Sequence, residues 1–179
     1  MTELQAGKGI EIDQEGGVGT PVSVKINDVF GSILITSDLT NGISLVGIGN
    51  TDFVDDTGFV PVTGFSAGES NGMTFQSSTN YLILPVDGQY YADGYVSGHS
   101  SVQNDTVALK FSFNGSTLSP RPILSKMPSS GDQSNLAGSG TFYATAGTVL
   151  GVKVASDRNS VFTAQNSSLT VRLMRAFTR

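Results

Sequence analysis

The sequence predicts an all-β chain folded as a sandwich of two sheets, and three observations carry that expectation. Glycine is 22 of 179 residues and charged side chains only 14%, with Ser, Thr and Asn abundant, the profile of many short strands joined by tight turns. No window of a dozen residues holds a 3.6-residue apolar period free of Gly, Pro or β-branched breaks, so helices are not expected. A period of two recurs instead. It runs through Val107, Leu109, Phe111 and Phe113, through Leu150, Val152 and Val154, and through Leu169, Val171 and Leu173, and these sets are the expected core.

In chain order, residues 1–56 form a first region with three short segments of branched apolar residues: Gly9-Ile-Glu-Ile12, Gly31-Ser-Ile-Leu-Ile35 and Gly42-Ile-Ser-Leu45. Each is one strand long and is bounded by turn residues such as Asp13-Gln-Glu-Gly-Gly17. So few apolar positions cannot bury a core alone, so these strands must pack on the rest of the chain, on sister subunits or on a larger partner. The polar, acidic stretch Asn50-Thr-Asp-Phe-Val-Asp-Asp-Thr-Gly58 marks a boundary, and residues 57–179 form the second region. Its strands are expected at 59–65, 72–76, 81–84, 89–97, 106–113, 136–144, 148–155 and 169–174, with a short one at 161–163. Residues 81–96 read as a β-hairpin, because Pro85-Val86-Asp87-Gly88 supplies a Pro that fixes φ and a Gly that accepts φ > 0. Its second strand places tyrosine on both faces, one for the core and one for a second surface. The connection over 118–135, with Pro120, Pro122 and Pro128, is expected to be an irregular surface loop.

Leu84-Pro-Val-Asp-Gly-Gln-Tyr-Tyr91 resembles the aliphatic-Pro-x-x-Gly-x-Tyr-Tyr/Phe hallmark of jelly rolls of the tumour necrosis factor and complement-head family. Val107-Ala-Leu-Lys-Phe-Ser-Phe-Asn-Gly115, the 138–154 segment around Ala146-Gly147, and Ser168-Leu-Thr-Val-Arg-Leu173 resemble its later strands in the same order. Thr148 stands where that family has Asp or Glu after the Ala-Gly pair. The resemblance covers residues 57–175 and implies a jelly-roll sandwich that assembles as a homotrimer. A strand with apolar bulk on both faces and an extension that cannot fold alone independently call for partner surfaces. Ala6-Gly-Lys-Gly-Ile-Glu-Ile12 also resembles a phrase of bacteriophage fibre and decoration proteins.

Composition excludes several functions. Without cysteine there are no disulfides, thiolate metal sites or Cys catalysis. Residues 1–70 hold ten acidic and two basic side chains, net −8, and residues 71–179 five acidic and eight basic, net +3. The arm is therefore either a solvated acidic segment or one that docks on a basic surface. With no contiguous basic stripe, nucleic acid is not expected as a partner. Met1-Thr-Glu-Leu-Gln5 lacks the basic and apolar regions of a signal peptide and no run is long enough to cross a bilayer, so the expectation is synthesis in the host cytoplasm with no membrane partner. Three Asn-x-Ser/Thr sequons, at Asn104, Asn114 and Asn166, are read as chance in a Ser/Thr/Asn-rich chain.

No catalytic constellation is legible, and the chain is not expected to be an enzyme or to hold a cofactor or metal. The sole histidine, His99, is read in a solvated loop just past a strand end. Asp52, Asp55 and Asp56 are the one cluster fit for a hard cation, but they lack calcium-loop spacing and read more simply as a solvated turn. Tyr81, Tyr91, Tyr95 and Tyr143 are the candidate trimer seam, with sugar stacking the alternative. Gly7, Gly9, Ile10, Ile12, Ile33 and Ile35 are the candidate capsid anchor, and Arg121, Lys126 and Asp132 a candidate recognition loop. Together these predict a structural virion protein, a bacteriophage capsid decoration or head-fibre protein, partnered by itself and by a major capsid protein or other virion protein. Two further readings are a tail-fibre tip that recognises a host surface glycan or receptor, and a carbohydrate-binding or carbohydrate-active module.

Overall fold

A computed structural model describes residues 10–13, 23–26, 28–36, 42–49 and 52–177. Within them are strands and turns and no helix. Two strands stand apart from the rest: β1 (Ile10–Asp13) and β2 (Ser23–Ile26) pair antiparallel, with Ile10 opposite Ile26. The other thirteen form two antiparallel sheets. Sheet I runs in the order β11 (Thr117–Leu118), β10 (Asp105–Phe113), β14 (Val149–Ser156), β8 (Tyr81–Ile83), β7 (Thr74–Gln76), with β12 (Ile123–Met127) also on β10 and β5 (Val60–Pro61) also on β14. Sheet II runs β13 (Gln133–Ala144), β9 (Gly88–Ser100), β15 (Ser160–Ala176), β3 (Phe30–Ile35), β6 (Ser66–Asn71), with β4 (Ile43–Leu45) also on β15.

Alternation sets what lies between the sheets. Tyr90, Ala92 and Val96 of β9, Val107 and Leu109 of β10, and Leu150, Val152 and Val154 of β14 are buried in one cluster with Leu169 and Val171 of β15, the period-two burial that a two-layer sandwich requires. The three core sets expected from the sequence lie here, with Phe111, Phe113 and Leu173 partly buried at its margin.

The 81–96 segment is not a hairpin. β8 lies in sheet I and β9 in sheet II, so residues 84–87 form a corner that passes between layers. Pro85 and Gly88 mark the change of direction in the sequence but not which sheet each strand joins, since pairing is decided by partners far along the chain. The Tyr90 hydroxyl fastens the corner by donating to the Val86 carbonyl at 2.7 Å. Burial raises the Tyr90 pKa above its ordinary 10.0, against the lowering effect of that backbone bond and with a smaller push from the Asp87 charge.

The 118–135 connection is likewise more regular than its prolines suggest. It contains β12, which pairs with β10 from Asp105↔Met127 to Leu109↔Ile123. The separate strands expected at 161–163 and 169–174 are one strand, β15, with a register shift between Gln165 and Ser168. The strand expected at 59–65 shrinks to Val60–Pro61.

The division expected at residue 56 does not match the sheets. β3 pairs with β15 from Phe30↔Arg172 to Ser167↔Ile35, and β4 pairs with it at Ser160↔Leu45. Both are strands of sheet II, because their alternating apolar residues complete a core that the later strands leave open. At Gly31 the packing is close: a Cβ there would come within 2.8 Å of the Met73 Cβ.

The sandwich has two unlike ends. At the near end the described chain enters at Asp28 and leaves at Phe177, for Leu173 N donates to Val29 O at 2.8 Å and Phe177 N to Asp87 O at 2.8 Å. The far end carries the turns at 101–104, 128–132 and 157–159, tied by Asn104 N to Pro128 O and Gly131 N to Ser100 O. There the fully buried Asp105 accepts hydrogen bonds from Ser100 Oγ, at the end of β9, and Ser156 Oγ, at the end of β14, so one carboxylate joins both sheets. The three sequon asparagines have positive φ, 55° at Asn104, 52° at Asn114 and 32° at Asn166. Asparagine tolerates the left-handed region, which suits it to these three positions.

Candidate functional site

The outward face of sheet II is a surface that no segment of the described residues crosses. Residues opposite one another in an antiparallel pair share a face. Gln89↔Tyr143, Tyr91↔Thr141 and Tyr95↔Ala137 therefore set Tyr91, Tyr95 and Tyr143 on one outward surface. Tyr91 and Tyr95 are half-buried near its middle. The Arg172 guanidinium lies 4.9 Å from the Tyr91 ring centre, and the Tyr95 hydroxyl donates to Asn135 Oδ1 at 3.3 Å. Gln133 Nε2 bridges Ser97 Oγ at 3.1 Å and Gln165 Oε1 at 2.8 Å. The rings thus have polar neighbours that orient them, an arrangement that keeps aromatic area available to a partner at little further entropic cost.

Tyr143 is on the same face but at its near-end edge, 72% exposed and stacked on Phe177 with ring centres 5.6 Å apart. Tyr81 does not belong to this surface. It lies in sheet I, only 6% exposed, its ring against Gly151, where a Cβ would come within 2.0 Å of it. It is covered by its own chain and cannot meet a sister copy.

The candidate anchor divides similarly. Gly7 and Gly9 lie outside the described residues, and Ile10 and Ile12 fall in β1. Ile33 and Ile35 are corrected outright: at 0% and 3% exposure they are core residues of β3, with nothing left to offer a capsid. The candidate recognition loop is dispersed. Arg121 is exposed beside Pro120 and Pro122, Lys126 is exposed on β12, and Asp132 Oδ2 accepts from Ser129 N at 3.1 Å in the far-end turn. His99 is within β9, half-buried and paired in register with Gln133 and Thr163, not in a loop.

Sheet I is the opposite case. Residues 46–49 and 52–59 lie on its outer face as a strap, and Phe53 and Phe59 bury Ala108 and Ala155 beneath them. Lys110, 1% exposed, donates to Asp56 Oδ1 at 2.9 Å and to the Asp55 carbonyl at 3.2 Å, with its ammonium 4.9 Å from the Phe59 ring centre. Asp56 is thus not merely a member of a solvated turn. Asp55 Oδ1 accepts from Thr57 N at 3.1 Å, and among the described residues no group of three or more His, Asp or Glu gathers as metal ligands. A buried lysine was not legible in the residue pattern, because Lys110 sits at an outward position of a regular strand, where solvent is the ordinary neighbour.

No family model matches the chain, and no curated protein matches it in sequence. Solved structures do. The globular domain of zebrafish complement 1qA protein is similar over 84% of this chain and 99% of its own, with a TM-score of 0.58 at 13% identity. The fold is a jelly roll of the tumour necrosis factor and complement-head type. Eiger TNF from S. frugiperda is similar over 84% of this chain and 96% of its own, TM-score 0.54 at 9% identity, and murine APRIL over 81% and 99%, TM-score 0.52 at 13% identity. In this jelly roll β3 and β4 are part of the sandwich. No helix among the described residues is long and apolar enough to cross a membrane.

Proposed function

We propose that the chain is a structural virion protein, a bacteriophage capsid decoration or head-fibre protein. It assembles as a homotrimer through the face bearing Tyr91, Tyr95 and Arg172, and it is held to the capsid by the residues ahead of 28. On this reading it acts by binding and presents no catalytic centre. The observation that carries the reading is the polarity of the sandwich: the arm joins it at one end, beside Leu173 and Phe177, and the turns at 101–104, 128–132 and 157–159 lie at the other. A tethered module that projects from a surface needs that layout. Binding of three arms from one trimer would multiply a weak single contact.

The test is the copy number of the chain in purified particles, paired with removal of residues 1–27, which takes no strand from either main sheet. Many copies per particle, and a truncated chain that still self-associates but no longer binds particles, are expected. A few copies would place the protein on a tail fibre instead. A truncated chain with undiminished particle affinity, or a full-length chain that scatters light as a monomer, overturns the proposal.

A further inference from the structure

At the near end the two sheets do not close on one another. Between them lies an open hollow of about 680 Å³ whose walls include Phe113, Phe142, Tyr143 and Phe177, with Asp87 and Asn114 among its polar lining. Its aromatic walls pack on one another: Phe113 meets Phe142 edge to face at 4.9 Å, and Tyr143 stacks on Phe177. The polar groups are anchored from behind, Asp87 Oδ1 accepting from Ala146 N at 2.8 Å and Asn114 Oδ1 from Val149 N at 3.1 Å. Tyr143 and Phe177 remain 72% and 42% exposed, so the hollow presents aromatic area to water with no segment of the described chain over it.

Two further observations say what covers it. The chain enters the sandwich at this same end, through Asp28 and Val29, so on the function proposed above the surface that holds the arm faces the hollow. Arg175, opposite Gln89 on β9 and two residues from Phe177, is exposed, and the only ion pair among the described residues is Lys110–Asp56. A partner that lies here meets an apolar recess and, near it, a guanidinium with no ion-pair partner among the described residues.

We propose that the near end is a seat for the particle surface: the hollow takes an apolar side chain projecting from the capsid protein, and Arg175 meets an acidic side chain next to it. The inference rests on the function proposed above, and it assigns to the sandwich itself a share of the attachment that the arm alone would otherwise provide. Rigid aromatic anchors in a recess, ringed by polar groups, are the usual carriers of interface affinity.

The experiment measures binding of the full-length chain to particles lacking it, by co-sedimentation, for wild type, for Tyr143→Ser with Phe177→Ser, and for Arg175→Glu. Light scattering and thermal melting are followed in parallel. Each variant is expected to weaken particle binding by about tenfold or more, the Arg175→Glu loss shrinking at high salt, with melting and self-association unchanged. Undiminished binding by both variants overturns the seat while leaving the attachment role intact. Loss of self-association in the aromatic variant also overturns it, because a second copy then fills the hollow. Wild-type chain that binds no particle removes the proposed function and the seat together.

Discussion

The outer faces of the two sheets solve the same problem in opposite ways. Sheet I is covered by its own chain: the strap that carries Phe53 and Phe59 lays them on Ala108 and Ala155, and Tyr81 lies against Gly151. Its central strands β10 and β14 are consequently buried on both sides, Lys110 included. Among the described residues no such segment covers sheet II. Its β9 alternates buried and half-buried residues, and the half-buried ones include Tyr91 and Tyr95. Strand composition alone does not separate the faces, for both carry small and aromatic residues. The difference lies in whether a distant segment returns to cover them, and the uncovered face is the one free to meet another copy.

That contrast can be broken at several points. The largest effect is expected from Phe53→Ala, which empties a fully buried ring position under the strap and should cost about 3–5 kcal/mol in denaturant unfolding. Tyr91→Ala on the open face should cost the dissociated chain less than about 1 kcal/mol while weakening self-association in light scattering. Equal costs for the two in the dissociated chain would remove the asymmetry.

Next is Asp56→Ala, which leaves the Lys110 ammonium under the strap with the Asp55 carbonyl as its remaining hydrogen-bond partner among those described. A loss of about 1–3 kcal/mol is expected. Adding Lys110→Met should recover most of it, since an apolar pair of similar shape carries no stranded charge. A double variant as unstable as the single one would mean that the strap is held by something other than this pairing.

The smallest effect is at the corner between the sheets. Tyr90→Phe should cost about 1 kcal/mol at neutral pH through loss of the bond to Val86. Because burial raises the Tyr90 pKa in the folded chain, the unfolded chain gives up its proton first, near 10.0. Wild-type stability then falls as pH rises from there until the folded pKa is passed. The variant should show a shallower decline over that alkaline range, and parallel pH profiles would show that the hydroxyl is not held as described.

Local pattern in the sequence was enough for the strands at 89–97, 106–113, 136–144, 148–155 and 169–174 and for the residues that line the core, because alternation is imposed by the pleat within a single strand. It was enough also for the strands at Ile10, Gly31 and Ile43. It misassigned the 81–96 segment as a hairpin, Tyr81 as a seam residue and Ile33 and Ile35 as an anchor, since each of those depends on a partner far away in the chain: β14 beside β8, Gly151 under Tyr81, β15 beside β3.

What the sequence by itself determined is therefore the class of fold and the inward sets of each strand, consequences of side-chain order over a few residues. Only the tertiary structure decided which sheet each strand enters, that a strap hides Lys110, that Asp105 joins the layers, and that the near end opens into an aromatic hollow. Those are long-range outcomes, fixed when segments as far apart as Phe53 and Ala155 compete to exclude the same water.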